Sequence, residues 1–325
     1  MNRDLAGIAA LLVASGLLAV SVEGYTLYRF TMAGVFAIAI CGLNLLTGLS
    51  GMLSIGHGAF YALGAYTATI GMRQLGLDAY LTIPLAGGVA CVAGFLLGLP
   101  AVRFGLLHFA LATWGLALAL PQFLKSSLVS TWTGGVQGLY LDRPGVPAGV
   151  PLSEDQWWHA IVMAVLALAL WSIRNVRNSR SGRALQALAD QPLAAQTMGI
   201  DVIRARAVVF GASGAFAGVA GALGALLTDF VGPDTYGSWF SIELLIGAVV
   251  GGLYSAWGAL FGGLLMKFLP DLAHGASGVV AFPAHGLLLI AMIWFLPRGL
   301  AGLFSRRGPR DPRGAAAAKR PTQSR

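Results

Sequence analysis

Six polar residues stand inside runs that are otherwise apolar. Asn44, Thr47, Ser50, Ser54 and His57 lie in "GLNLLTGLSGMLSIGHGAFYALGA", and Glu243 lies in "IELLIGAVVGGLYSAWGALFGGLLMKF". Amide, hydroxyl, imidazole and carboxylate groups at such places are costly in an apolar medium and mark a path for a hydrophilic solute. The competing use is plainer: Ser, Thr and Asn bond neighbouring helices, and Glu243 sits at an interface. Covalent chemistry finds no support. There is no Gly-Lys dipeptide, so no phosphate loop of the G-x-x-x-x-G-K-[ST] kind exists and the chain cannot bind ATP by that device. The histidines His57, His108, His159, His274 and His285 show no H-E-x-x-H or other close metal spacing. Paired aspartates within apolar runs, as an intramembrane protease needs, are missing too. Cys41 and Cys91 sit in apolar surroundings and read as packing residues. The expectation is a protein that is no enzyme and carries neither metal nor cofactor.

The elements that hold these residues follow from composition. Of 325 residues 57% are hydrophobic and only 10% charged, with a mean hydropathy of +0.74. A soluble domain carries about a quarter charged residues, so lipid is the expected solvent. A crossing takes about 20 apolar residues. The runs that qualify are 5–22, 26–49, 51–71, 80–102, 104–124, 157–173, 207–227 and 281–296, with 242–267 as a special case. The first run has Arg3 cancelled by Asp4 and no A-x-A site after it, which reads as a retained span rather than a cleaved signal.

Charge orients the spans. The net charge of +8 is concentrated in two places: residues 174–206 carry +4 and the tail 305–325 carries +6, leaving −2 elsewhere. Such clusters beside spans mark the cytoplasmic side; topology explains the basic excess without nucleic acid. With 174–206 inside, the loop 125–156 falls outside and the N-terminus inside. A cytoplasmic tail then requires an even number of crossings after 206. Gly251, Gly252 and Ser255 interrupt 242–267, and a re-entrant hairpin of two half-helices, entering and leaving on the outer face, restores the parity. Broken helices are tolerated only where protein buries their backbone or a cavity lies beside it. Gly48-Leu49-Ser50 and Gly252-Leu253-Tyr254-Ser255 suggest an internal inverted repeat, and paired breaks point to a central transport path. The fold expected is an all-α polytopic membrane protein with about eight full spans plus the broken hairpin. Its permease domain covers 1–304, and 305–325 is a disordered basic tail able to touch anionic lipid.

The insert 174–206 is helix-prone. Ser181 is a plausible N-cap for Arg183–Ala189, Asp190-Gln191-Pro192 breaks the chain, and a second helix over Leu193–Met198 ends at Gly199. Leu185, Leu188, Leu193 and Met198 cannot all be buried in so small a unit, and those left over call for a partner. A DNA-reading helix-turn-helix would need a small core of its own, which two flanking spans do not supply. In the outer loop, Trp132, Tyr140, Trp157 and Trp158 are placed to anchor at headgroup level.

Several of these stretches resemble one family. "NLLTGLSGMLSIGHGAFYALGAYTA" resembles the early signature of the permease subunits of branched-chain amino acid ABC importers. "SRSGRALQALADQPLAAQTMGIDVIRARAVVFGASGAFAGVAGAL" is similar to their coupling segment and following span. "WTGGVQGL", "GGLYSAWGALFGGLL" and "LPRGL" are similar to further motifs in the expected order, so the likeness runs from about residue 30 to 304. The outer TGG and "RFGLLHFALATWG" favour the LivM-like over the LivH-like subunit. The resemblance implies a coupling helix at Ser181–Met198 followed by Gly199. Its ATPase-facing residues would be Ser181, Gly182, Arg183, Ala184, Leu185, Leu188, Asp190, Ala194, Ala195, Met198 and Gly199. It also implies a bacterial cytoplasmic-membrane location with both termini cytoplasmic. The implied partners are a LivH-like subunit, two cytoplasmic ATPases that bind the ATP, and a substrate-binding protein. Gln191-Pro192 and Gln196 replace more acidic residues of many relatives, and His108 replaces a common Tyr. Related members serve urea or short amides, which stays open for this chain. From another class, a self-sufficient transporter or channel would need intramembrane acids, and Glu243 is the one serious candidate.

Overall fold

Long apolar runs become helices because lipid offers no partner to backbone amides and a helix satisfies them within one segment. The computed structural model describes residues 2–101, 103, 105–147, 149–274 and 299–304. In order, α1 spans Asn2–Ser21, α2 Tyr25–Leu43, α3 His57–Leu75, α4 Ala79–Ala101 and α5 Leu106–Lys125. A short α6, Ser130–Thr133, leads into the loop before α7, Glu154–Asn178. The insert forms α8, Arg180–Asp190, and α9, Pro192–Thr197. α10 spans Val202–Thr228, α11 Ser238–Gly251, α12 Ala256–His274 and α13 Leu300–Phe304. Two short strands, Leu139–Tyr140 and Phe230–Val231, pair antiparallel across the loops at one end. The basic insert occupies the other.

Among the described residues, α2 with its extension to Leu49, α4, α5, α7 and α10 are long and apolar enough to cross a membrane. Shorter apolar stretches lie in α1, α11 and α12. The architecture is all-α and polytopic, as composition dictates. The expected span 281–296 and the tail 305–325 lie outside the described residues. α7 outgrows its expected bounds because Ser153 starts it three residues early. The Ser153 hydroxyl accepts from the Gln156 amide, and the Gln156 side chain accepts from the Ser153 N–H.

α10 runs through the centre, packed along α3 and α4, while α2 lies among α7, α10 and α12. Glycine permits the closest of these crossings. A Cβ at Gly64 would stand 2.0 Å from the Gly218 carbonyl, and one at Gly221 1.9 Å from that of Tyr61. Backbones approach this closely only where side chains are absent. The outward rows are apolar: Leu81, Leu85, Val89, Val92 and Leu96 on α4, and Leu107, Leu111, Trp114 and Leu118 on α5. Their helical spacing presents one continuous face per helix to lipid or to a second subunit. One expected headgroup anchor is corrected. Trp158 is fully buried and donates to the Pro144 carbonyl at 3.3 Å, whereas Trp132 and Tyr140 are exposed.

Candidate functional site

Both expected breaks exist, and each takes its form from glycine and hydroxyl chemistry. α2 runs on into a π-helical turn, Asn44–Leu49, and then loses helical structure until His57. The expected span 51–71 therefore starts six residues late. Gly51, at φ 70°, turns the chain, and the opening residues of α3 lie in the protein interior, where no water can satisfy their free amides. Hydroxyls from three segments take that place. The Ile55 N–H donates to Thr113 of α5 at 3.1 Å, the Gly56 N–H to Ser54 at 3.3 Å, and the Gly58 N–H to Ser241 of α11 at 3.0 Å. His57 completes the knot, with Nε2 2.5 Å from the Ser213 hydroxyl of α10 and Nδ1 3.2 Å from Ser54. Ser54, His57 and Ser213 are wholly buried.

At the second break, α11 ends at Gly251 and Gly252 adopts φ 119°, open to glycine but strained for other residues. After a turn, α12 starts at Ala256 and packs back along α11. The interruption falls where Gly251, Gly252 and Ser255 place it. The half-helix picture is corrected, however, because the tip reaches the basic end of the bundle. There the Arg177 guanidinium donates to the Tyr254 carbonyl at 2.7 Å. The two breaks also touch. The Asn44 amide donates to the Ser255 carbonyl at 3.1 Å, and a Cβ at Gly48 would stand 2.1 Å from that of Leu253.

The insert closes under the first break. Its N-cap is Ser179 rather than Ser181: the Ser179 hydroxyl accepts from the Gly182 N–H at 3.1 Å, which draws the cap two residues earlier. Gly182 packs into the last turn of α7, where a Cβ would lie 2.1 Å from the Val176 carbonyl. α9 begins with Pro192 in its first turn, and Gly199 at φ 83° terminates it, as expected. The four apolar residues divide. Leu185 and Leu188 turn inward, packing in one cluster with Leu45, Leu46, Leu49 and Met52 of the break. Ala195 joins them, and a Cβ at Gly51 would lie 3.3 Å from the Ala189 Cβ. Leu193 and Met198 stay 79% and 84% exposed. The four are thus not all buried within the insert: the broken helix leaves an apolar floor for the two leucines of α8, and Leu193 and Met198 are the residues left over. Arg183, Ala184 and Asp190 lie along the same helix, and Ala194 on α9.

The suggested path residues thus separate by environment. Ser54 and His57 belong to the capping knot. Asn44 joins the two breaks, its Oδ1 buried without a partner among the described residues, as is the Thr47 hydroxyl. The Ser50 hydroxyl donates back to the Leu46 carbonyl at 2.6 Å. Glu243 is half-buried on α11, two residues past Ser241. Sequence reasoning missed Thr113, Ser213 and Ser241, since a lone hydroxyl in a Gly/Ala-rich span carries no signal until three helices converge on it. At the opposite end Asp229 ends α10 at φ 55°. Burial raises its carboxyl above the usual carboxylate range, while Arg143 pulls it the other way.

A multi-pass helical bundle with two touching helix breaks and a basic insert seated beneath one of them has the build of a transporter's membrane component. Comparison with known proteins makes this specific. Residues 25–297 match the model of the branched-chain amino acid transport system permease component, so the chain belongs to that family. It is a family of transporter subunits, not of enzymes. The chain is 29% identical over 293 residues to a high-affinity branched-chain amino acid transport system permease protein, LivM, of Salmonella typhimurium, covering 83% of this chain and 68% of the relative. It is 26% identical to a probable LivH of Methanocaldococcus jannaschii, covering 86% and 91%. To the BraD permease of Pseudomonas aeruginosa it is 25% identical, covering 84% and 93%. No solved structure matches it significantly.

Proposed function

We propose that this chain is the LivM-like half of the membrane core of an ATP-driven importer for branched-chain amino acids in a bacterial cytoplasmic membrane. A LivH-like subunit forms the other half. Two cytoplasmic ATPases dock beneath, and a substrate-binding protein delivers solute from the far side. In this reading the basic insert and both termini are cytoplasmic, and ATP is bound by the partners alone. The higher identity to LivM than to LivH supports the choice of half. The observation that carries the coupling role is the seating of α8 on the first helix break, with α9 packed on α8 and Leu188 wholly buried in one cluster with Leu46 and Leu49. A push on the exposed side of α9 therefore reaches the break through packed side chains, without passing a flexible loop.

The test is reconstitution of the chain with its LivH-like and ATPase partners in liposomes that enclose ATP. Uptake of labelled leucine should require ATP and the binding protein, and unlabelled isoleucine and valine should compete. Preferential competition by urea or short amides would move the substrate assignment to those solutes. ATP-independent uptake by the chain alone would overturn the importer reading.

A further inference from the structure

At the basic end, an open cavity of about 660 Å³ lies between α1, α7 and the start of α12. One side of α7 borders it with Leu170, Ile173, Arg174 and Arg177 at helical spacing; the two apolar residues are packed in the core, and the arginines are half-buried. Ile8 and Phe261, both part-exposed, supply the apolar part. Trp257 borders it too and packs on α1, where a Cβ at Gly7 would stand 2.5 Å from its ring. Indole rings favour the boundary between hydrocarbon and headgroups.

A small soluble anion has no use for the apolar depth, and a neutral lipid none for the arginines. An amphiphile with an anionic phosphate and a hydrocarbon tail matches both. Guanidinium groups also suit phosphate geometry, and basic pockets between spans on this side of a bilayer take anionic headgroups. We infer that this cavity binds one anionic phospholipid, phosphate on Arg174 and Arg177 and acyl chain against Ile8, Trp257 and Phe261. Arg177 also holds the hairpin tip through Tyr254, so the lipid would sit beside the join between α7 and the second break. The inference does not depend on which solute is carried.

The test uses the full-length chain, extracted in mild detergent with its accompanying subunits. Retained lipid is read by native mass spectrometry after exposure to phosphatidylglycerol, phosphatidylcholine or inorganic phosphate. Phosphatidylglycerol should be retained preferentially. One surface arginine changes anionic-lipid association about fivefold, so R174Q/R177Q should lower retention about 30-fold, and R174K/R177K should largely preserve it. If the double variant fails to fold, R174Q alone should give the fivefold loss. Equal retention of phosphatidylcholine would overturn the inference. So would displacement of phosphatidylglycerol by inorganic phosphate, or unchanged retention in a folded glutamine variant.

Discussion

The division of apolar residues in the insert gives the sharpest prediction, because the two pairs should fail in different ways. Full burial of a Leu or Met side chain is worth about 1.5–3 kcal/mol. Docking can recover only the exposed part, which is 79% of Leu193 and 84% of Met198. Taking about 2 kcal/mol for each and scaling by that exposure, L193A/M198A should weaken ATPase capture by about 3 kcal/mol, roughly 150-fold in Kd. The melting temperature of the isolated chain should hardly change. Leu188 is fully buried, so L188A removes packing inside the chain, at about 2–5 kcal/mol of stability. Its melting point should fall while the folded fraction binds ATPase with near-normal affinity. Capture is measured by surface-immobilised ATPase titrated with detergent-solubilised chain, and melting by intrinsic fluorescence. A Kd within threefold of the unaltered chain for L193A/M198A refutes the assignment. So does weakened capture by L188A at an unchanged melting point.

Three further outcomes follow from the geometry. G48A should destabilise by about 1–3 kcal/mol because its methyl meets the Leu253 carbonyl, whereas G88A, with open space around it, should stabilise α4 by about 0.5–1 kcal/mol; opposite shifts in melting temperature check the pair. S213A leaves the His57 Nε2 without its hydroxyl and should cost about 1–3 kcal/mol, read by the same melting assay. The raised Asp229 carboxyl means its charged form is disfavoured in the folded chain, so stability is lost as pH rises above about 4 through the folded value. D229N, which also tolerates φ > 0, should remove that slope: its melting temperature should match the unaltered chain below pH 4 and exceed it progressively above.

Five of the expected spans were legible in sequence because apolar length alone decides them, and both breaks announced themselves through glycine in runs otherwise long enough to cross. The start of α3 at His57 was not legible. It depends on Thr113 and Ser241 arriving from distant helices to cap its amides, and no local pattern encodes that convergence. The cap at Ser179 in place of the expected Ser181 was not legible for a related reason: both residue types cap well, and only the fit of Gly182 against Val176 decides between them. The outward Leu193 and the inward Leu188 looked alike because helical periodicity reports a stripe but not what lies beneath it.

Because Leu185 and Leu188 share one apolar cluster with Leu45, Leu46, Leu49 and Met52, the insert is not an interchangeable adaptor. A chimera that borrows residues 179–199 from another permease inherits side chains shaped to a different floor. Under the proposed coupling role, exchange of ATPase specificity between importers has to move residues 45–52 together with the insert, or confine itself to the outward side chains of α9.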